Sequence, residues 1–355
     1  MGGTLPVGKL PVELLDKLLS NLKLQDGRVL LGPGIGLDCA VIDLGKDLLV
    51  LKSDPITFAS DAIGWYAVQV NANDIATCGA TPKWILTTLL LPERQTTPEL
   101  VLEINQQLQK ACQAIGVDIV GGHTEVTYGL DRPILVCTLI GEVSRQDLIT
   151  PRGAKPGDRL LLTKGVPIEA TAILGREFPN RLTGNLEEKE HGYTIQGLSP
   201  AELEQAKNFL NDPGISILKE AYIARRSGQV NAMHDPTEGG LYSALWELSD
   251  ACKYSLAVDL SIVPVPNLSQ RICRILGLDP LGAIASGALL LAVPLIDANN
   301  ICMAINAAGI HCVEIGEVLN RSESNAVWQR QGGNLLPCPR PERDEIAQLF
   351  EIERG

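Results

Sequence analysis

Apolar runs broken by polar, Gly- or Pro-bearing turns predict a mixed α/β chain. Leu14, Leu15, Leu18 and Leu19 share one face of a helix predicted over 11–22, with Pro11 in its first turn. A strand opens at Val29, turns through Gly32-Pro-Gly-Ile-Gly36 and resumes over 37–42, which puts Asp38 one residue inside the second strand. The next strand, 47–51, ends in Lys52-Ser-Asp54-Pro55. Residues 61–79 read as a helix and 83–91 as a strand. Leu100, Ile104, Leu108 and Cys112 recur at i, i+4 in an amphipathic helix over 98–115. A short strand, 117–120, runs into Gly121-Gly-His-Thr-Glu125, and 134–142 is a strand of strong β-formers.

A Gly/Pro-bearing, charged linker, 152–158, precedes a fresh strand at 159–163 and a helix at 168–175. Residues 176–200 are polar and read as a surface excursion. Helices follow at 201–210 and 216–227, then a strand from Val230 that ends in His234-Asp235. Gly239-Gly240 opens a helix reaching residue 252. Strands at 256–263, 289–294 and 313–318 alternate with helices at 267–276 and 299–308, and an amphipathic helix covers 344–350. Each half carries a late strand closing in Ile-Gly-Glu-Val, at 140–143 and 315–318.

A length of 355 residues fits two domains, and 45% hydrophobic with 4% aromatic residues predicts aliphatic cores. A net charge of −12 argues against nucleic-acid or anionic-membrane partners. It leaves room for phosphate ligands, because divalent cations bridge carboxylates to phosphates. The nine cysteines form no C-x-x-C pair and sit mostly among apolar residues, so they read as buried, reduced thiols. That reading, with no signal-like N-terminus and no apolar run of about 18 residues, predicts a cytoplasmic protein without a membrane span.

The polar pair Asn73-Asp74 interrupts an apolar helix. A buried charge must be paired or bind a cation, so Asp74 faces either water or a site. Asp54 is a ligand or a turn cap. Lys9, after Gly8, is either a surface lysine or a cation able to close over phosphate. The glycine-rich turn at 32–36 is an anion-approaching turn or a plain strand connection. Asp235 with Gly239-Gly240 suits phosphate at a helix N-terminus, unless Asp235 and Thr237 cap that helix and the glycines serve packing. The recurrence of acids beside Gly or Pro turns points to one shared polyanion–metal site, with Asp74 a metal ligand in it.

The ordered motifs Gly34-Ile-Gly-Leu-Asp-Cys-Ala40, Lys52-Ser-Asp54, Asn73-Asp-Ile-Ala-Thr-Cys-Gly-Ala80, Gly121-Gly-His-Thr-Glu125, His234-Asp-Pro-Thr-Glu-Gly-Gly-Leu241 and Ala285-Ser-Gly287 resemble one superfamily. It comprises aminoimidazole ribonucleotide (AIR) synthetase, thiamine-monophosphate kinase, selenophosphate synthetase and the hydrogenase-maturation protein HypE. Gly8-Lys-Leu-Pro and the Asp-Pro-Thr-x-Gly-Gly-Leu signature look most like HypE. The resemblance implies a PurM-like two-domain α/β (α+β) fold. Its N-terminal domain, 1–150, has a mixed sheet that forms a barrel in a homodimer and binds ATP and Mg²⁺. Its C-terminal α/β sandwich domain, 151–340, completes the groove, and 341–355 form a helix and tail.

Matching positions imply Asp38, Asp54, Asp74 and His123 as metal ligands. Gly34, Gly36, Asn73, Gly121, Gly122, Thr124, Gly239 and Gly240 would contact the nucleotide, and Asp235, Lys9 and Glu125 would act in catalysis. Two departures mark the site: Leu37 replaces the first of a paired acid, and His123 stands where HypE and the kinase carry Asp. Neutral His is a poor Mg²⁺ ligand, so Glu125 substitutes for it or fewer metals bind. HypE ends in a cysteine that receives a carbamoyl group; here the sequence closes in Glu351-Ile-Glu-Arg-Gly355, with Cys338 lying 17 residues back.

The implied activity is ATP-dependent phosphoryl transfer to a small-molecule or protein-tail acceptor, with a maturation protein as a further possible partner. A non-catalytic nucleotide-binding subunit and a carbamoyl dehydratase with an altered tail are the alternatives.

Overall fold

A computed structural model describes residues 5, 8–57, 61–184, 186–187, 194–320 and 326–352. Two compact units emerge: Lys23–Pro33 with Leu37–Ile149, and Met1–Leu22, Gly34–Gly36 and Thr150–Gly355.

The smaller unit is built on a six-stranded mixed sheet in the order β1-β2-β3-β6-β4-β5. These strands are β1 Val29–Leu31, β2 Ala40–Asp43, β3 Leu48–Ile56, β4 Thr81–Pro92, β5 Asp118–Thr127 and β6 Ile134–Val143. Neighbours are antiparallel except β4 and β5, which run parallel and are joined through the helix Pro98–Ile115. That helix has the predicted limits. Thr97 caps it by accepting from the Leu100 amide, and Gly116 ends it in the left-handed region. The helix Ile63–Thr77 is buried along its whole length except at Trp65. A helix apolar on every side belongs inside a core, and Asn71, Asn73 and Asp74 are carried inside with it.

Three predicted positions shift in this unit. Asp38 lies two residues ahead of β2, because that strand begins at Ala40. Asp54 lies within β3, which continues to Ile56 through its ladder with β6. Gly121–Glu125 lies inside β5, which continues to Thr127. Gly122 permits this, since a Cβ there would meet the Thr87 carbonyl oxygen at 2.0 Å.

The larger unit has a seven-stranded sheet in the order β10-β12-β7-β13-β11-β14-β15. Its members are β7 Arg159–Thr163, β10 Ala232–His234, β11 Leu256–Val258, β12 Leu290–Val293, β13 Cys312–Val318, β14 Val327–Gln331 and β15 Asn334–Pro337. A separate small hairpin pairs β8 Leu186–Glu187 with β9 Thr194–Ile195. The helix Gly240–Cys252 sends Leu241, Leu245 and Leu248 into an aliphatic core with Leu160, Leu162 and Leu290. Each fully buried side chain of this size contributes about 1.5–3 kcal/mol.

The predicted surface excursion begins as structure: Pro179–Thr183 is helical and Leu182 is buried. Residues 188–193 lie outside the described residues. The strand predicted over 256–263 stops at Val258, and a 3-10 turn, Leu260–Ile262, follows. The helix predicted from 299 begins at Leu295, and the last helix runs Ala347–Ile352. The β14–β15 hairpin was not anticipated, although Gly332-Gly333 between two polar-flanked runs is a hairpin signal. All nine cysteines are free thiols and eight are buried, as their apolar surroundings predicted. Among the described residues no helix is long and apolar enough to cross a membrane.

Candidate active site

In the smaller unit, Lys52 and Asp54 stand two apart on β3 and so share one face of the sheet. Leu48, Val50 and Ile56 occupy the same face and are buried. The Lys52 ammonium lies 2.8 Å from Asp74 Oδ2 and 3.0 Å from Asp54 Oδ2. Burial opposes the Lys52 charge, but Asp74, Asp54 and Asp38 outweigh it and hold the pKa well above the ordinary lysine value. Two carboxylates therefore contact one ammonium, and Asp38 adds to the negative field around it. Asp74 is buried, which excludes the water-facing reading, whereas the Asp54 side chain is 38% exposed.

The backbone around these acids is fixed by side chains. Asn71 Oδ1 accepts from the Asp54 amide at 3.0 Å, and Asn71 Nδ2 donates to the Ala67 carbonyl at 2.8 Å. The Asp74 carbonyl accepts from Thr77 Oγ1 at 2.7 Å and from Cys39 Sγ at 3.2 Å. Burial pushes the Cys39 thiol well above its ordinary pKa, which suits it as a donor and not as a nucleophile. Asn73 is wholly buried on the same helix.

His123 and Glu125 are not brought to this centre within the unit. They sit on exposed β5 with His123 Nε2 3.1 Å from Glu125 Oε2. Three strand steps separate β5 from β3, a lateral distance of about 14 Å. Thr124 and Gly121 lie on that strand as well.

In the larger unit, β10 ends at His234, and Asp235 follows it fully buried. The His234 imidazole, also buried, has Nε2 2.8 Å from Glu247 Oε2 on the helix Gly240–Cys252. Lys9 Nζ donates to Glu247 Oε1 at 3.3 Å and to Thr237 Oγ1 at 3.4 Å. Lys9, Thr237 and Asp235 are thus assembled around one turn. Gly36 lies there too, since a Cβ on it would meet the Glu247 carbonyl oxygen at 2.3 Å. Gly34 belongs to the same unit.

The helix beginning at Gly240 has no side-chain cap from Asp235 or Thr237. Its capping amide, Gly239 N–H, donates to Asp344 Oδ2 at 2.6 Å, so a carboxylate of the chain itself takes that donor. Gly239 also leaves room for Ser243, whose Oγ a Cβ would meet at 2.0 Å. Burial raises the Asp344 pKa to about 6 and that of nearby buried Glu169 to about 7.

Four contributors escaped the sequence reading: Lys52, Asn71, Glu247 and Asp344. Lys52 carried a usable signal, its two-residue spacing from Asp54 in a strand. The other three make contacts that no local pattern announces.

The chain matches the models for the AIR synthase related protein N-terminal domain over residues 36–143 and C-terminal domain over residues 155–329. A putative hydrogenase expression/formation protein of Methanocaldococcus jannaschii is 31% identical over 309 residues, covering 84% of this chain and 83% of that protein. The fold is shared with HypE in a crystal structure of a HypE–HypF complex, at TM-score 0.71 and 20% identity, over 92% of this chain and 99% of that one. It is shared also with HypE in a crystal structure with ATP, at TM-score 0.63 and 22% identity, over 92% and 94% of the two chains. The PurM-like two-domain α/β architecture is therefore present, and the chain belongs to the AIR synthase related protein family.

Proposed function

We propose that this protein is an Mg²⁺–ATP-dependent phosphoryl-transfer enzyme of the HypE type, acting on a small carboxamide, amide or hydroxyl acceptor. The observation that carries this reading is the excess of carboxylate over ammonium at Lys52: Asp74 and Asp54 contact one cation, and Asp38 adds to the field. Oxygen donors of that kind, partly open to solvent at Asp54, fit a hard divalent cation carrying phosphate. Asp38, Asp54 and Asp74 would hold Mg²⁺, whose chemistry is to neutralise charge on the phosphates. Lys52 holds Asp54 and Asp74 in place, and Asn71 fixes the strand beneath Asp54. Within the larger unit, Asp235 and Lys9 gather at the Thr237 turn, a set of side chains suited to handling a phosphoryl group. Positioning and electrostatics supply most of the catalysis in such transfers. ATP bound to a HypE of the same fold supports the nucleotide assignment.

A homodimer fits β5: an edge strand of ten residues, exposed on nearly all of them, with Val120 and Val126 among its exposed apolar side chains. The complex of HypE with HypF supports a maturation protein as a second partner. Cys338 does not suit the role of a carbamoyl-accepting thiol. It is buried, its amide donates to the Val327 carbonyl at 2.9 Å, and burial raises its pKa to about 12.

A second reading, nucleotide binding without turnover, is favoured by one observation: His123 and Glu125 stand on β5, away from the three acids. Incubating the pure protein with Mg²⁺–ATP and measuring ADP, with Asp74→Ala as control, separates the two. ADP formed by the wild type and not by the variant supports the enzyme. Binding without ADP, across a screen of acceptors, supports the second reading, and no binding removes both.

A further inference from the structure

Glu247 has no role in the phosphoryl-transfer site described above, yet three other segments meet on it. Its Oε2 holds buried His234 at 2.8 Å, and its Oε1 accepts from Lys9 at 3.3 Å. Its carbonyl oxygen is the atom that Gly36 must clear. The side chain is only 24% exposed and lies on a helix packed in the core. Lys9 is different. Its side chain is 53% exposed, and its contacts to Glu247 and Thr237, at 3.3 and 3.4 Å, are long for an ammonium. Glu247 is thus the more deeply buried of the two.

We propose that Glu247 is a positioning residue of the phosphoryl-transfer site: it keeps the Lys9 ammonium beside the Asp235–Thr237 turn, ready to exchange Glu247 for a phosphate oxygen. Oε2, engaged by His234, fixes the carboxylate rotamer. Oε1 then presents one acceptor at a defined place, and Thr237 Oγ1 marks the second point on which Lys9 rests. A phosphate arriving at the turn offers stronger charge than a single carboxylate oxygen, so the ammonium transfers without a large movement. The proposal rests on the phosphoryl-transfer reading for its consequence, but the tether itself exists without nucleotide.

The experiment has two arms. In the first, without nucleotide, limited trypsin digestion is followed by mass spectrometry at the Lys9–Leu10 bond. Glu247→Gln is expected to speed cleavage there about threefold or more, while cleavage at Lys110 stays unchanged. An unchanged rate at Lys9 overturns the tether. In the second, kcat and KM for ATP are compared. Glu247→Gln and Lys9→Met should each lower kcat about tenfold with KM held within about threefold, and the double variant should fall no further. Lys9→Arg should recover part of the loss. Additive losses, or a change in KM alone, overturn the positioning role. A wild-type protein that forms no ADP removes the phosphoryl-transfer reading and this consequence of it together, and the first arm still decides the tether.

Discussion

The two ammonium–carboxylate centres differ in how their charges are balanced. At Lys52 the cation is buried and outnumbered, with Asp74 and Asp54 at 2.8 and 3.0 Å and Asp38 adding to the field. At Lys9 the cation is half exposed, and Glu247 shares its carboxylate between Lys9 and His234. Under the proposed function, the first would take further positive charge and the second would lend its cation to an anion. A third pattern, in the larger unit, completes the contrast: Glu169 and Asp344 are buried acids held by backbone amides, Glu169 by Ser286 and Asp344 by Gly239 and Ile346.

The largest expected effect breaks the first centre. Lys52→Met leaves Asp74 buried without its ammonium, so the urea midpoint should fall by the equivalent of about 3–5 kcal/mol. Mg²⁺ should restore part of that loss. The matching change at the second centre, Lys9→Met, should cost under about 1 kcal/mol. Equal losses would erase the distinction between the two centres.

Next comes pH. Burial raises Glu169 to about 7 from the ordinary 4.5, and Asp344 to about 6 from 3.8. A folded-state pKa above the unfolded one means the folded state binds the proton more tightly. The associated stability is therefore complete below about pH 4 and is lost as pH rises through 6 to 7. Glu169 alone accounts for about 3 kcal/mol at the upper limit. Stability measured by urea should be greater at about pH 5.5 than at about pH 8, and Glu169→Gln should flatten that slope. An unchanged slope would show that Glu169 does not titrate in this range. A smaller effect than these sharpens the first centre: Asn71→Ala removes the acceptor for the Asp54 amide and should cost about 1–2 kcal/mol, read from the thermal midpoint.

Local pattern carried much of the fold. The helix Pro98–Ile115 has its threonine cap, its apolar stripe and its terminal glycine in sequence, and its limits were legible to the residue. Asn267–Leu276 was legible for the same reason, an apolar stripe ended by Gly277. Strand lengths were less so. Pro55 suggested a stop that the β6 ladder overrides, and Gly121-Gly122 suggested a turn where the sheet needs a residue without Cβ. Asp74 was legible as an anomaly, an acid in an apolar helix. Its partner Lys52 lies 22 residues away on another element, and Glu247 lies 13 residues beyond His234, so tertiary contact alone pairs them. The glycines at 239–240 show where motif reading stops, because it does not announce that the Gly239 amide donates to Asp344.

The central claim is that the acids around Lys52 bind nucleotide through a divalent cation. Calorimetric titration with ATP tests it most directly, with Mg²⁺ present and with Mg²⁺ removed by chelator, on the wild type and on Asp74→Asn. Binding should weaken about tenfold or more, roughly 1.4 kcal/mol, when either Mg²⁺ or the Asp74 carboxylate is taken away. Equal affinity under all four conditions, or no binding by the wild type with Mg²⁺, would contradict it.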